Sequence, residues 1–545
     1  MSNFATPLPL ELSPSWTFDG DDGSWSSFAL TVGSPAQSFR VFPSTSGSEV
    51  WLPLPQGCQG ILSGVGDCGD LRGVNAINGT ASSGFQTNVS STWDLIGIYD
   101  LAAEQNLFDN ISGQYGLDRV SLELLTESNN NSSATVDAQT VAGFASGDLW
   151  LGSLGLGTAQ ANFTVQNENV PSLLETLKTQ NLSTSLTVGY AAGAAYASPA
   201  DYGSLILGGY DQSRNDDNIT ISLGGADNQT LGVSVQNILA ENTIDGTVSL
   251  FQQPAPLIAT IDSTTSQLWL PQSLCDLFAS AFGLTYDSVT GLYLVNDTIH
   301  NQLQQSNPTI TFTIGPNTTE TDSINTNIVF HYAAFDLQAG IPIYNSSTNY
   351  FPLRVAANES QYTLGRAFLQ EAYIFVDWER QGLTIGQVVH QNTTKNIVPV
   401  LPPSNNGGGG GEALSSGAIA GIAVGASVGI VSAVGILLFC ILGSRRRRRR
   451  MAEDDADQKP EIETADAYMA ESKSDAYLTE LDSKHVRPQH ELMSEQVHEL
   501  AEENKRSEMM GTPLAEMADQ PVGSELEDSS DFADKKKQHE VFELP

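Results

Sequence analysis

The segment Val41 to Pro53, VFPSTSGSEVWLP, returns later in the chain as Ala259 to Pro271, ATIDSTTSQLWLP. With Trp51-Leu52-Pro53 set on Trp269-Leu270-Pro271, Ser44 falls on Asp262, Thr45 on Ser263, Ser46 on Thr264 and Ser48 on Ser266. A repeat offset by 262 − 44 = 218 residues predicts two related lobes, each presenting this loop to a shared site. One copy carries a carboxylate where the other carries a hydroxyl.

The 545 residues exceed what one hydrophobic core serves, so several units are expected. From Trp16 to about Gln391 the pattern is short β-rich runs broken by Gly, Asn, Ser and Asp. Phe28 to Val32 and Thr309 to Ile314 read as strands, the second alternating like a half-buried one before Gly315-Pro316. Helical spacing is confined to short stretches, Val170 to Gln180 and Ser273 to Phe282. The expectation is an all-β body of two lobes, residues 1–200 and 201–395, with small helices.

A net charge of −39, with 24 basic residues of which six form one run, argues against nucleic acid as a partner. The four cysteines, Cys58, Cys68, Cys275 and Cys440, form no CxxC pair and lie beside no histidine cluster, so neither a metal nor another cofactor is expected. Sequons occur at Asn78, Asn88, Asn110, Asn130, Asn131, Asn162, Asn181, Asn218, Asn228, Asn296, Asn317, Asn345, Asn358 and Asn392, and then stop. A dense series ending before an apolar segment predicts that the body is extracellular or lumenal and glycosylated. In that compartment Cys58 and Cys68 can form a disulfide, leaving Cys275 as a buried thiol. Met1 to Pro14 lacks the basic and apolar regions of a secretory leader. Either the start is truncated or the later apolar segment directs insertion alone; truncation is the expectation.

Residues 396–416 read as a Pro/Gly linker. Gly417 to Gly443 has no charged residue and is long enough to cross a ~30 Å hydrocarbon layer as a helix. Arg445 to Arg450 follow at once and assign that flank to the cytoplasm. The chain is therefore expected to be single-pass and type I, at the plasma membrane or a secretory-pathway membrane, with its large domain outside. Gly417, Gly421, Gly425 and Gly429 share one helix face, which suits a homodimer, although a weakly apolar span also collects glycine. Cys440 is either a palmitoylation site or ordinary apolar packing. Residues 444–545 are acidic, aperiodic and expected to be disordered. Asp466-Ala-Tyr468 with Asp475-Ala-Tyr477, and His490-Glu-Leu492 with His498-Glu-Leu500, are docking motifs for unknown partners or chance repeats in a solvated tail.

Across about residues 25 to 390 the chain resembles the pepsin-type aspartic peptidases (family A1), particularly secreted or membrane-tethered fungal members. Members of that family show an aspartate, then Thr or Ser, then Gly, with Trp seven residues after the aspartate in the first lobe and Pro nine after it in the second. Here Trp51 is seven after Ser44 and Pro271 nine after Asp262. Gly113, Gly116, Asp118 and Val120 resemble the segment after the family's flap. Leu151 to Gly157 resembles the apolar-apolar-Gly element supporting the first catalytic loop, and Gly203 to Asp211 the strand joining the lobes. Leu364-Gly365, Phe368-Leu369, Tyr373 and Asp377 resemble the closing element of the second lobe. The resemblance implies a bilobal pepsin-like fold.

It also implies a chemistry in which two facing carboxylates share one proton and activate a water. Asp262 matches the second of these aspartates, but Ser44 stands at the first, and Ser46 and Thr264 replace both motif glycines. General acid–base assistance is worth ~10²–10⁴ in rate, so peptidase activity is expected to be severely reduced. Counting back from Asp118 puts Asn106 at the flap tyrosine and Leu107 to Asn110 at its tip, unless an insertion brings Tyr99 there. Thr45 and Ser263 retain the hydroxyls that in the family link the two loops. Glu49 is either a substitute carboxylate or an ordinary polar strand residue, and no His or Lys lies in either motif to activate Ser44. Three functions follow as expectations: a pseudopeptidase binding peptide or cell-wall ligands, with a surface-sensor role; an active endopeptidase with atypical residues, acting on surface or secreted proteins; or a structural surface glycoprotein.

Overall fold

A computed structural model describes residues 7–403 apart from 60–61, 63–64, 78, 102–110, 126–131, 164–168, 225–229, 319–323 and 391–393. The fold is predominantly β with few, short helices, as fits a two-lobed pepsin-like architecture. The expected span at 417–443, its glycine face, Cys440 and the tail motifs lie outside the described residues. Among the described residues no helix is long and apolar enough to cross a membrane.

Three large sheets organise the body. The first has eight strands in the order Pro14–Asp19, Trp25–Val32, Gln37–Ser44, Gly152–Gly155, Val50–Pro53, Ser132–Phe144, Ser112–Leu124 and Asp94–Asp100. The second, from the later half, runs Thr326–His331, Thr309–Gly315, Gly232–Thr243, Leu257–Ile261, Thr363–Leu364, Leu268–Leu270 and Leu353–Val355, with Gly246–Ser249 added on Gly232–Thr243. A six-stranded sheet joins the halves: Leu10–Glu11, Asp201–Leu207, Thr187–Ala194, Ala372–Asp377, Gly382–Val388 and Asn215–Ser222. The boundary expected between residues 200 and 201 falls between two antiparallel neighbours of this shared sheet.

Alternation on half-buried strands supplies the core. In Thr309–Gly315 the residues Ile310, Phe312 and Ile314 are fully buried while the threonines between them keep some exposure. One continuous apolar cluster includes Phe28, Val41 and Leu154 of the first half and Ile261, Leu268 and Phe368 of the second. Trp378 adds a polar tie, its Nε1 donating to the Leu156 carbonyl at 3.0 Å.

Helices form in both stretches where the spacing predicts them. In Leu173–Thr179, Ser172 Oγ accepts from Glu175 N and Glu175 Oε2 accepts from Ser172 N, both at 3.3 Å, a reciprocal cap that satisfies two orphan donors. Gln272–Phe282 buries Leu274, Phe278 and Phe282 and ends at Gly283. A third helix, Asp297–Ser306, has few apolar positions to announce it; Asn296 Oδ1 caps it by accepting from Thr298 N and Ile299 N at 3.1 Å each. Cys58 and Cys68 form a disulfide, and Cys275 is a buried free thiol whose pKa burial pushes up to about 12.

Candidate active site

The two repeats adopt the same local architecture. Strand Gln37–Ser44 enters the first loop, Val50–Pro53 leaves it, and Gly152–Gly155 threads between them, parallel to the first and antiparallel to the second. In the later copy Leu257–Ile261 enters, Leu268–Leu270 leaves, and Thr363–Leu364 threads between with the same two senses. The threading strand fixes each loop through its backbone, since Leu156 N donates to Ser44 O at 2.9 Å and Asp262 N to Leu364 O at 3.1 Å. Glycine is required at the crossing. A Cβ on Gly155 would lie 2.4 Å from Glu49 N, and one on Gly365 2.3 Å from Gln267 O.

The loops are joined reciprocally. Thr45 N donates to Ser263 Oγ and Ser263 N donates to Thr45 Oγ1, each at 3.0 Å. Thr45 Oγ1 in turn donates to Ile261 O at 3.2 Å, and Ser263 Oγ to Pro43 O at 2.6 Å. Both residues are buried, so these hydroxyls satisfy backbone groups that water does not reach.

Above this frame lie Ser44, Ser46, Asp262 and Thr264. Ser44 Oγ accepts from Gly47 N at 2.8 Å and lies 2.7 Å from Thr264 Oγ1 and 3.4 Å from Ser46 Oγ. Ser46 Oγ donates to Asp262 Oδ1 at 3.0 Å and lies 3.1 Å from Thr264 Oγ1. Thr264 N also donates to Asp262 Oδ1, at 2.9 Å. Ser44 and Asp262 are buried, whereas Ser46 and Thr264 are half-buried and form the outer edge of the cluster. The side chains of Ser46 and Thr264 thus link Ser44 to Asp262 through hydroxyls.

This arrangement has one carboxylate and three hydroxyls. A serine hydroxyl does not ionise in the range where carboxylates exchange protons, so the cluster has no partner to share a proton with Asp262. Among the described residues Ser44 has no base beside it, its hydroxyl contacts being Gly47, Ser46 and Thr264. Glu49 is engaged elsewhere. Its Oε2 accepts from Trp51 Nε1 at 3.2 Å, and burial raises its pKa against the opposing donors of Trp51 and Tyr115. Among the described residues no group of three or more His, Cys, Asp or Glu is placed to hold a metal.

Asn106 and Leu107 to Asn110, expected at the flap, lie outside the described residues. Tyr99 lies on the strand Asp94–Asp100, its ring 5.9 Å from Tyr115 and 5.3 Å from Phe163, against the apolar cluster that includes Trp51. Asp118 is fully buried and accepts from Ser90 Oγ at 3.1 Å, Thr92 Oγ1 at 2.5 Å and Arg119 N at 2.8 Å, which holds the base of this hairpin.

One residue of the site carries no motif signal. Arg366 is 7% exposed; its Nη1 donates to the carbonyls of Ser263 at 2.8 Å and Thr264 at 2.9 Å, and its guanidinium lies over the rings of Phe42 at 4.3 Å and Trp25 at 5.2 Å. Its Nε has no acceptor among the described residues. Its position one residue after Leu364-Gly365 could have flagged it, since that element braces the second loop.

The family model for eukaryotic aspartyl proteases matches residues 27–388 of the chain. A relative described as an acid protease, from Saccharomycopsis fibuligera, is 23% identical over 376 residues, covering 66% of this chain and 81% of the relative.

Proposed function

The chain belongs to the eukaryotic aspartyl proteases, and from that premise we propose that it is a non-hydrolysing member holding peptide or cell-wall ligands between its two loops. The observation that supports this is the Ser44 hydroxyl at the place of the first carboxylate, bonded to Thr264 and reaching Asp262 only through other hydroxyls. Peptide hydrolysis in this family needs one acid and one base around a water. Here Asp262 can be one of them, and neither Ser44 nor the intervening hydroxyls can be the other. The frame beneath keeps its buried cross-links, so the body retains a rigid binding surface while lacking the reaction centre.

The proposal extends to topology. The body stands outside the cell, glycosylated at the exposed sequons, tethered by Gly417 to Gly443, with residues 444–545 inside as the signalling segment of a surface sensor. That last step rests on the order of segments along the chain, not on site chemistry.

A second reading, an active endopeptidase with atypical residues, draws on the relative described as an acid protease and on the retained Asp262. Binding and turnover separate the two. The full-length chain is titrated with a mixed decapeptide pool and, separately, soluble wall glycans, with intact ligand recovered at equilibrium. Saturable binding with full recovery of intact ligand supports the proposal; the absence of saturable binding by either class removes it.

A further inference from the structure

The strand leaving the second loop, Leu268–Leu270, runs parallel to Leu353–Val355, with Trp269 opposite Arg354. Leu268, Leu270 and Leu353 enter the main apolar core, so Trp269 and Arg354 stand on the opposite face of the sheet. There the Arg354 guanidinium lies over the Trp269 ring, 5.4 Å from its centroid. The stack shields one face of the cation and leaves its planar edge of N–H donors presented. Gly291 comes close from the turn after Thr285–Asp287, where a Cβ would lie 3.3 Å from Arg354 Nη1. The carboxylate of that turn is already engaged. Asp287 Oδ2 accepts from Tyr344 Oη at 2.7 Å and Thr290 Oγ1 at 2.9 Å, and its Oδ1 accepts from Val289 N at 3.0 Å.

Arg354 is the exception among the basic side chains. Of the nine lysines and arginines among the described residues, six pair with carboxylates, and Arg72 and Arg366 donate to backbone carbonyls. The side chain of Arg354 bonds to no described residue: its Nε is buried without an acceptor, and its two outer nitrogens reach solvent. Trp269 beneath it is 9% exposed, and its Nε1 is likewise buried without an acceptor. Buried donors left unmet are rare. Two on one stacked pair, beside a guanidinium edge open to solvent, mark a place for an acceptor brought from outside. With 63 acidic residues against 24 basic ones in the chain, a shortage of internal carboxylates is not the reason.

We infer that Arg354, stacked on Trp269, receives a carboxylate of a bound peptide, from an aspartate or glutamate side chain or from the chain end. This rests on the reading of the protein as a peptide binder. The guanidinium fork meets a carboxylate through two parallel N–H donors, a match that an amide of the same size does not make. The field of the whole chain works the other way, since its net charge of −39 repels an acidic ligand. A preference for acid over amide therefore reports the local site.

The test titrates the full-length chain at pH 7 and physiological salt with three decapeptide pools. In the first each peptide carries one Asp or Glu and an amidated end; the second has Asn or Gln in its place; the third is the second with free terminal carboxylates. One of the two carboxylate pools is expected to bind at least about tenfold more tightly than the amide pool, and which one does so identifies the source. Arg354→Gln brings that pool down to the affinity of the amide pool with the melting temperature nearly unchanged, because its side chain has no bonds to lose. Arg354→Lys keeps the charge without the fork and retains only part of the preference. Equal binding of the three pools by the unaltered chain, or a preference that survives Arg354→Gln, overturns the inference and leaves the peptide reading standing. Binding of none of the pools overturns both.

Discussion

Ser44 Oγ lies 2.7 Å from Thr264 Oγ1, a contact across 220 residues that joins the two copies of the repeated loop. On the proposed reading, with Ser44 at the place of a carboxylate and Thr264 at the place of a glycine, the two departures are coupled, because the Thr264 side chain takes up space beside Ser44 that a second carboxylate and its water would need.

Restoring one residue is therefore expected to fail. Ser44→Asp alone puts a carboxylate against Thr264 and Ser46, with no gap for water, and should give no hydrolysis above background. Ser44→Asp with Ser46→Gly and Thr264→Gly should raise acid-pH hydrolysis of a peptide pool by at least ~10²-fold. Activity from the single substitution, measured by release of new amino termini, would contradict the coupling.

The frame beneath should be costly to break. Ser263→Ala leaves Thr45 N without its acceptor in a buried place, a loss of about 1–3 kcal/mol. Thr45→Val does the same to Ser263 N. Because both substitutions break one reciprocal pair, urea unfolding of the double variant should show less than the summed loss. Simple additivity would argue that the two bonds act independently.

His390 gives the fold an alkaline limit. Its Nδ1 lies 3.0 Å from Asp201 Oδ2 and its Nε2 3.2 Å from Glu371 Oε2. Arg214 also pairs with Asp201, and Tyr196 and Gln387 donate to Glu371. Burial works against the imidazolium, but Asp201 and Glu371 together outweigh it and lift its pKa from 6.5 to about 9. A folded pKa above the unfolded one means stabilisation that is complete below about pH 6.5 and lost as pH rises through about 9, on the order of 2–3 kcal/mol. Melting temperatures from pH 6 to 10 should fall across that window, and His390→Gln should flatten the fall. An unchanged slope in the variant would assign the alkaline loss to other groups.

The sequons at Asn88, Asn162, Asn181, Asn218, Asn296, Asn317, Asn345 and Asn358 are all exposed. Asn78, Asn110, Asn130, Asn131, Asn228 and Asn392 lie outside the described residues. Chain isolated from its own secretory pathway should lose mass on endoglycosidase treatment, at the exposed positions by peptide mapping. No loss would remove the extracellular assignment of the body.

Much of the site was legible because its signals are local. The WLP repeat places both loops, Thr309 to Ile314 alternates as a half-buried strand does, and Val170 to Gln180 carries its helical spacing within one short stretch. What escaped depends on contacts distant in sequence. Ser46 and Thr264 could be read as added bulk, but not as hydroxyls bonded to each other and to Asp262, because that needs the loops face to face. Arg366 and Asp22 are charged residues in unremarkable surroundings until folding sets Arg366 on the carbonyls of Ser263 and Thr264 and Asp22 on the side chains of Ser266 and Gln267. Asn296 reads as a sequon, and its role as a helix cap shows only in the backbone that follows it.

The most direct measurement of the central claim is turnover at the hydroxyl cluster. Full-length chain and its Asp262→Ala variant are incubated in parallel with a diverse peptide pool from strongly to mildly acidic pH, and new termini are counted by mass spectrometry. The two should be indistinguishable, at background. Cleavage by the unaltered chain that disappears with Asp262→Ala would show that one carboxylate and three hydroxyls suffice, and would contradict the account.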